Sequence, residues 1–407
     1  MKWLMINAYF PPEIGSASFL FFELGKKLVE KGDKVTVLTG FPRYNINSKD
    51  LPEKYKGRLS MVEEMEGIKV VRMRLLSLPR YIPIARGMDH LIMAFLFFIR
   101  GLFIKKASYD RILVYSPPLP LGLTAYGLSK INKKPFICNV QDLFPQSAID
   151  LGVLTNKAMI GKLEKLESFI YNKADIVTVH SEGNRNHVIS KGVKPSSVIT
   201  IPNWIDTDMI QPKPIDLEFR KEFLLNGEFI VSFAGVIGYS QDLDTVIESA
   251  EYLKKDNIIF LIVGYGVEKE RLQEKVKAKE LKNVRFLPML PKEKYVRLLA
   301  ASDACLVNLH KEVKTPVVPS KLLSIMSAGR AVAASLPLGG DAPKIIKESK
   351  CGICVDAGDC KGLAEAIRKI YLDKRLCKEF ANNGRDYVVE NFSLTKCLEI
   401  YRKLKTA

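Results

Sequence analysis

Short apolar runs rich in Val and Ile alternate along this chain with amphipathic stretches, and the alternation runs through twice. The first series has runs at residues 3–6, 35–39, 68–73, 111–115, 136–140, 175–180 and 198–201, with a helical pattern over 17–31. A segment studded with Pro202, Pro212 and Pro214 follows, and a second series begins: 229–234, 258–263, 284–287, 304–309 and 331–335. Runs with so little polar alternation are strands buried on both faces, as in parallel sheets covered by helices. Two βα series joined by a Pro-rich hinge predict an α/β protein with two Rossmann-like, doubly wound domains, over residues 1–205 and 206–390. Ligands of such sheets bind beyond the carboxyl ends of the strands, so the two domains are expected to face each other across a cleft. The last helical patterns, 374–390 and 394–405, are followed by no strand. The segment 391–407 either caps the second domain or crosses back to the first.

Composition narrows the class. At 407 residues and about 150 residues per domain, two or three domains fit. Hydrophobic residues at 47% and charged residues at 26% exclude a disordered tail, a collagen-like fibre and a multi-span transporter. The formal charge of +17 favours an anionic partner: nucleic acid, a phosphorylated metabolite or an acidic membrane surface. No basic stripe interleaved with aromatics is present, so no nucleic-acid partner is expected, and many lysines, such as those of 269–282, fall on solvated helix faces. Seven cysteines and an N-terminus without a signal-peptide layout point to a reducing cytoplasm. Cys351 and Cys354 form a CxxC with Cys360 further on, readable as small apolar residues on a short strand or as a zinc or redox motif. No second CxxC or HxxxH accompanies it, and no metal site is expected. Gly264-Tyr265-Gly266 lacks the third glycine of a dinucleotide fingerprint, so no cofactor is expected.

One segment breaks the pattern. Residues 91–99 are nine apolar residues in a row, followed by Arg100-Gly101, three more apolar residues, and Lys105-Lys106. This is too short to span a bilayer, which takes about 20 residues, and Arg100 near the middle opposes spanning further. Between residues 69 and 106 stand eight Lys or Arg and one acid, Asp89. Two readings stay open: a helix around Phe95 docked on an anionic lipid interface, or a helix buried under the first sheet.

Four loops follow strands and open helices. After the first strand comes Tyr9-Phe10-Pro11-Pro12-Glu13-Ile14-Gly15-Ser16-Ala17, a turn that offers free backbone N–H groups and a helix dipole to phosphate, or a plain N-cap. Asn139-Val140-Gln141-Asp142-Leu143-Phe144-Pro145 ends a parallel strand, and Asp142 there either orients a sugar hydroxyl or caps the next turn. Gly235-Val236-Ile237-Gly238-Tyr239-Ser240-Gln241-Asp242 is the third. In the fourth, Pro319 and Ser320 start a helix with Lys321 in its first turn. Helix electrostatics disfavour a cation there, which an anionic ligand would offset; the alternative is a solvated lysine.

Taken in order, the Pro-Pro-Glu and Gly-Ser opening, Val-Thr-Val-Leu-Thr-Gly, Gln-Asp-Leu-Phe-Pro, Ile-Pro-Asn-Trp-Ile-Asp and Pro-Ser-Lys-Leu-Leu with Ala-Gly-Arg resemble a GT-B glycosyltransferase. The nearer resemblance is to family 4, in the surface-polysaccharide branch of the colanic acid and N-acetylfucosamine transferases, over nearly the whole chain. It implies a retaining, metal-independent transfer from a nucleotide-sugar donor to a lipid-linked saccharide acceptor, by a peripheral protein on the inner face of the plasma membrane. The donor diphosphate would lie under Ser320 and the Gly235–Gly238 loop, with Gly15 and Ser16 closing over it, and Gln241 and Ser324 as further donor contacts. Gln141, Asp142 and Lys321 take the catalytic positions, Lys321 as the diphosphate cation; the departing phosphate accepts the acceptor's proton, so no protein nucleophile is needed. Phe10, Arg43, Phe95, Arg100 and Lys105 are the expected acceptor and membrane contacts. Three departures stand out. The family's two glutamates correspond to Pro316 and Ser324, its basic pair to Val236 and Gln241, and its histidine before an Asp to Gln141. A sugar-nucleotide 2-epimerase and a catalytically silent scaffold are the alternatives.

Overall fold

The computed structural model describes residues 1–13, 16–43, 53–76, 83–150, 152–225, 227–313 and 318–404, with backbone only at 16, 83, 84 and 292. The chain divides into two compact units, Met1–Asn203 with Cys397–Ala407, and Trp204–Lys396.

In the first unit the strands are β1 (Lys2–Ile6), β2 (Lys34–Gly40), β3 (Ser60–Met65), β4 (Ile68–Met73), β5 (Arg111–Ser116), β6 (Phe136–Val140), β7 (Ile176–Val179) and β8 (Val198–Thr200). They form one sheet in the order β3-β4-β2-β1-β5-β6-β7-β8, parallel except for β3. The order reverses at β1, where β2 lies on one side and β5 on the other. Around the sheet run α1 (Ser16–Glu30), α2 (Pro83–Leu102), α3 (Leu121–Asn132), α4 (Gln146–Asp150), α5 (Lys157–Lys173) and α6 (Glu182–Ser190). Strand β3 lay outside the expected set because its outward residues are half solvated; a Glu66-Gly67 turn with both φ positive, at 49° and 75°, folds it onto β4.

The second unit has β9 (Phe229–Val236), β10 (Ile258–Tyr265), β11 (Val284–Leu287), β12 (Ala304–Asn308), β13 (Ala331–Leu336) and β14 (Gly352–Asp356) in the order β11-β10-β9-β12-β13-β14, all parallel. Its helices are α7 (Leu217–Glu222), α8 (Leu243–Tyr252), α9 (Lys269–Ala278), α10 (Lys292–Ala301), α11 (Ser320–Ser327), α12 (Asp341–Ser349), α13 (Cys360–Leu372) and α14 (Lys374–Phe392). Alternate residues of β12 feed two different cores: Leu306 packs with Phe233 and Val246 on one face, Cys305 and Val307 with Leu322 and Met326 on the other. That double burial is why the strand reads as an unbroken apolar run. Side-chain N-caps start several helices, with Asn156, Ser181, Asp216, Asp359 and Asp373 each accepting a backbone N–H.

The last helix, α15 (Leu394–Lys403), begins in the second unit, and from Cys397 onward it belongs to the first. The two units divide at Asn203/Trp204 and at Lys396/Cys397, beside the expected 205 and 390. Burial draws the helix end in: Tyr401 is 1% exposed and its hydroxyl accepts from Asn139 Nδ2 at 2.9 Å, while Arg111 donates to the Leu404 carbonyl at 3.0 Å.

Candidate functional site

In the second unit the sheet changes direction at β9. Strand β9 pairs with β10 over eight residues, Phe229 to Val236, but with β12 only at Val231 and Ser232. Beyond Ser232 the two strands part, and a crevice opens at their carboxyl ends, the place where doubly wound sheets take ligands. Gly235 forms its floor at φ +153°, and a Cβ there would sit 3.4 Å from Lys321 Nζ. Gly264, at φ +155°, lies so close that a Cβ would meet the Gly235 carbonyl oxygen at 1.9 Å. Two backbone bonds, Ile237 N to Tyr265 O at 2.7 Å and His310 N to Ser240 O at 3.0 Å, tie the β9 loop to its neighbours on both sides.

Lys321 reaches into this crevice from the first turn of α11. Its ammonium stands 3.8 Å from the Phe233 ring centroid and donates to Gln241 Oε1 at 2.5 Å. No carboxylate lies within ion-pair distance of it among the described residues, and burial lowers its pKa to about 7. A desolvated ammonium without a counter-ion is costly. The aromatic face and one amide oxygen repay only part of that. Beside it, α11 starts at Pro319 without a side-chain cap, leaving first-turn N–H groups open, and Ser320 is exposed there. Ser324, at the family's glutamate position, is buried: its hydroxyl donates to the Ser320 carbonyl at 3.4 Å and bonds the Tyr295 phenol. Gly238 accepts from Gln241 N at 2.9 Å and closes the turn.

In the first unit the end of β6 carries the other expected residues. Asn139 is fully buried, donating to Thr178 Oγ1 and Tyr401 and accepting from Gln141 Nε2 at 3.0 Å. Gln141 is therefore folded back into the protein, with its carbonyl contacting His180 Nε2 at 2.9 Å. Asp142 is exposed; local desolvation raises its carboxyl above the ordinary value and His180 opposes the rise. The β1–α1 loop is described as far as Glu13, so Gly15 lies outside the described residues, as does Pro316, and of Ser16 only the backbone is described.

Two of the expected acceptor contacts have partners within the first unit. Phe10 is fully buried and stacks edge-on against Phe22 at 5.7 Å, an apolar ring finding an apolar partner. Arg43 forms a bidentate pair with Asp89 at 2.8 and 2.7 Å and donates to the Leu76 carbonyl, so its guanidinium is already committed. The run around Phe95 forms a helix with one buried face and one exposed face. On α2, Asp89, Met93, Ala94 and Phe97 are buried, while Met88, Leu91, Phe95, Ile99 and Leu102 form an exposed stripe that continues to Phe103. Lys105 is exposed just beyond it and Arg100 is half-buried. No helix among the described residues is long and apolar enough to cross a membrane.

Phe233 and Asp89 were missed from the sequence. Phe233 stands two residues before Gly235, hence on the same strand face, which a strand reading would have found. Asp89 is the sole acid between Glu66 and Asp110.

A parallel sheet with a glycine-lined switch point and a helix-borne cation is the architecture of a nucleotide-type binding domain, which the second unit shows, and the first unit adds a doubly wound sheet that is parallel except for β3. Two family models match: Glycosyltransferase Family 4 over residues 17–209 and Glycosyl transferases group 1 over residues 215–387. WcaI of Escherichia coli (strain K12), named for colanic acid biosynthesis, is 25% identical over 402 residues, covering 95% of this chain and 97% of its own. WbjE of Pseudomonas aeruginosa, also named a glycosyltransferase, is 26% identical over 289 residues, 70% of this chain and 72% of its own. The crystal structure of Anabaena HepE in complex with UDP superposes with a TM-score of 0.74 at 16% identity, covering 99% of each chain. The chain is a family 4 glycosyltransferase with the GT-B fold, of the kind found in polysaccharide biosynthesis.

Proposed function

We propose that this enzyme transfers a sugar from a nucleotide-sugar donor, with retention of configuration, to a polyprenyl-diphosphate-linked saccharide in cell-surface glycan synthesis, working at the inner face of the plasma membrane. The observation that carries the reading is Lys321: a half-buried ammonium with no carboxylate partner among the described residues, beside an uncapped helix start and a glycine floor. A diphosphate supplies the missing negative charge, and the same cation stabilises the charge that grows on it as the sugar leaves. Positive potential from Lys321 and the α11 N–H groups serves where a metal would otherwise be needed. The bond from the anomeric carbon to the diphosphate oxygen breaks, the acceptor oxygen bonds on the same face, and its proton passes to the departing phosphate. HepE was crystallised with UDP, which supports a nucleoside diphosphate of this kind.

The acceptor's lipid and the enzyme's membrane contact rest on α2. Six exposed apolar side chains lie on one stripe, and Arg86, Lys105, Lys106, Lys130 and Lys133 are exposed along and near its ends. Contacts of Ala94 with Thr124, Phe98 with Gly127 and Gly101 with Leu128 run α2 and α3 side by side in the same direction, so the lysines after both helices gather at one end. Each inserted side chain and each cation near an anionic headgroup contributes about 1 kcal/mol, enough together for reversible docking.

The test is binding followed by transfer. Purified protein should gain melting temperature with at least one nucleoside diphosphate and move label from the matching nucleotide sugar into a lipid extract; Lys321→Ala should do neither. An epimerase would alter the donor without acceptor, which proton NMR of donor plus enzyme would reveal. Absence of binding to every common nucleoside diphosphate refutes the enzyme reading, and normal transfer by Lys321→Ala refutes the role given to that lysine.

A further inference from the structure

The β1–α1 loop stands at the switch point of the first sheet, and two separate anchors hold it. One leads into the sheet: Arg72, fully buried, donates to the Pro11 carbonyl, to the Gly40 carbonyl at 3.1 Å and to Glu63 Oε1 at 2.5 Å. The other leads to α2. Glu13, 1% exposed, accepts from Phe10 N at 3.1 Å with one oxygen and from Arg43 N at 2.9 Å with the other. The Arg43 guanidinium then closes on Asp89 in a bidentate pair whose side chains are 13% and 3% exposed. Loop backbone, Glu13, Arg43 and Asp89 thus form one unbroken chain of charge-assisted bonds ending on the helix with the exposed apolar stripe.

Charge sharpens the picture. Asp89 is the sole acid between Glu66 and Asp110, and Arg43 neutralises it inside the protein. The outward side of α2 therefore presents apolar side chains and cations with no carboxylate, which suits an anionic lipid surface. From Met88 to Phe103 the stripe runs about 22 Å along the helix, long enough to lie flat in an interface.

We propose that Asp89, Arg43 and Glu13 are positioning residues that couple α2 to the β1–α1 loop, so that docking of α2 on a bilayer containing anionic lipid restrains the loop at the first sheet's switch point. The inference rests on the membrane-docking part of the proposed function. Sheet anchor and helix anchor have different duties: Arg72 sets where the loop is, and the Asp89 chain reports whether α2 is engaged.

Hydrogen exchange of the full chain, with and without vesicles of phosphatidylcholine and phosphatidylglycerol, tests it in wild type, Asp89→Asn and Arg43→Lys. Asparagine keeps the shape of Asp89 and removes its charge; lysine keeps a cation and loses the fork. The expected result in wild type is slower exchange, threefold or more, both in α2 and in the peptides carrying residues 7–13 and 41–43. In Asp89→Asn, α2 should remain protected by vesicles while the loop peptides no longer respond, and Arg43→Lys should give an intermediate response. Wild-type loop exchange that ignores vesicles while α2 is protected overturns the coupling. So does an Asp89→Asn loop that responds as wild type does. Failure of vesicles to protect α2 at all overturns the docking reading beneath it, a distinguishable result.

Discussion

Raising the pH should strip this enzyme of its nucleotide affinity through a single lysine. Burial leaves Lys321 with a pKa of about 7, and among the described residues the groups facing it are Phe233, Gly235 and Gln241, none of which titrates. In the proposed function a diphosphate pairs with the charged ammonium. With such a pKa, the ammonium is about nine-tenths charged at pH 6 and about one-hundredth charged at pH 9, so affinity should fall about 90-fold, or about 2.7 kcal/mol, over that range. The ligand contributes little to this slope above pH 7, because a terminal phosphate with a pKa of about 6 is already ionised there. Isothermal titration at pH 8 in two buffers of different ionisation enthalpy should show uptake of about 0.9 proton per nucleotide bound. Lys321→Arg keeps the charge at every pH and should bind with neither the slope nor the uptake. The apo protein should show the opposite trend. Folding lowers this lysine from 10.5, so the folded state holds fewer protons than the unfolded one, and its contribution to stability grows from pH 7 upward. Binding at pH 8 without proton uptake, or a Lys321→Arg variant with the wild-type slope, would refute the reasoning.

Two further outcomes follow from the packing. Gly264→Ala sets a methyl group against the Gly235 carbonyl in a backbone region closed to L-residues, and should cost about 3 kcal/mol, read as a lowered denaturant midpoint. Phe95→Glu together with Phe103→Glu, at positions 62% and 75% exposed, should leave the melting temperature within a degree or two yet abolish co-sedimentation with anionic vesicles; retained sedimentation would move the docking surface elsewhere.

Much of the architecture was legible because burial on both faces writes itself into a strand. The runs around Val37, Ile112, Phe260 and Val332 are apolar at successive positions, and each became a central strand. Strand β3 was illegible for the same reason reversed: an edge strand with a solvated face carries Glu63 and Glu64, which read as loop. The site divided along similar lines. Gly235, Lys321 and Gln241 could be picked out because each follows a strand or opens a helix, and local rules say what belongs there. The inward partners of Gln141, Phe10 and Arg43 were not legible, because a polar or aromatic residue beside a strand end looks the same whether it faces a ligand or the protein.

The amino-acid order alone determined two α/β units, the loops that bear their chemistry, and the basic apolar segment near Phe95. These depend on neighbours a few residues away, through strand alternation, helix periodicity and turn geometry. Tertiary structure decided which charges are free. Asp89 lies 46 positions from Arg43 and Gln241 lies 80 from Lys321, and only folding shows that the first pair neutralises itself while the second, among the described residues, leaves a cation without an anion. Electrostatic partnership depends on distance in space and on the local loss of water, and neither is written in the spacing of residues along a chain.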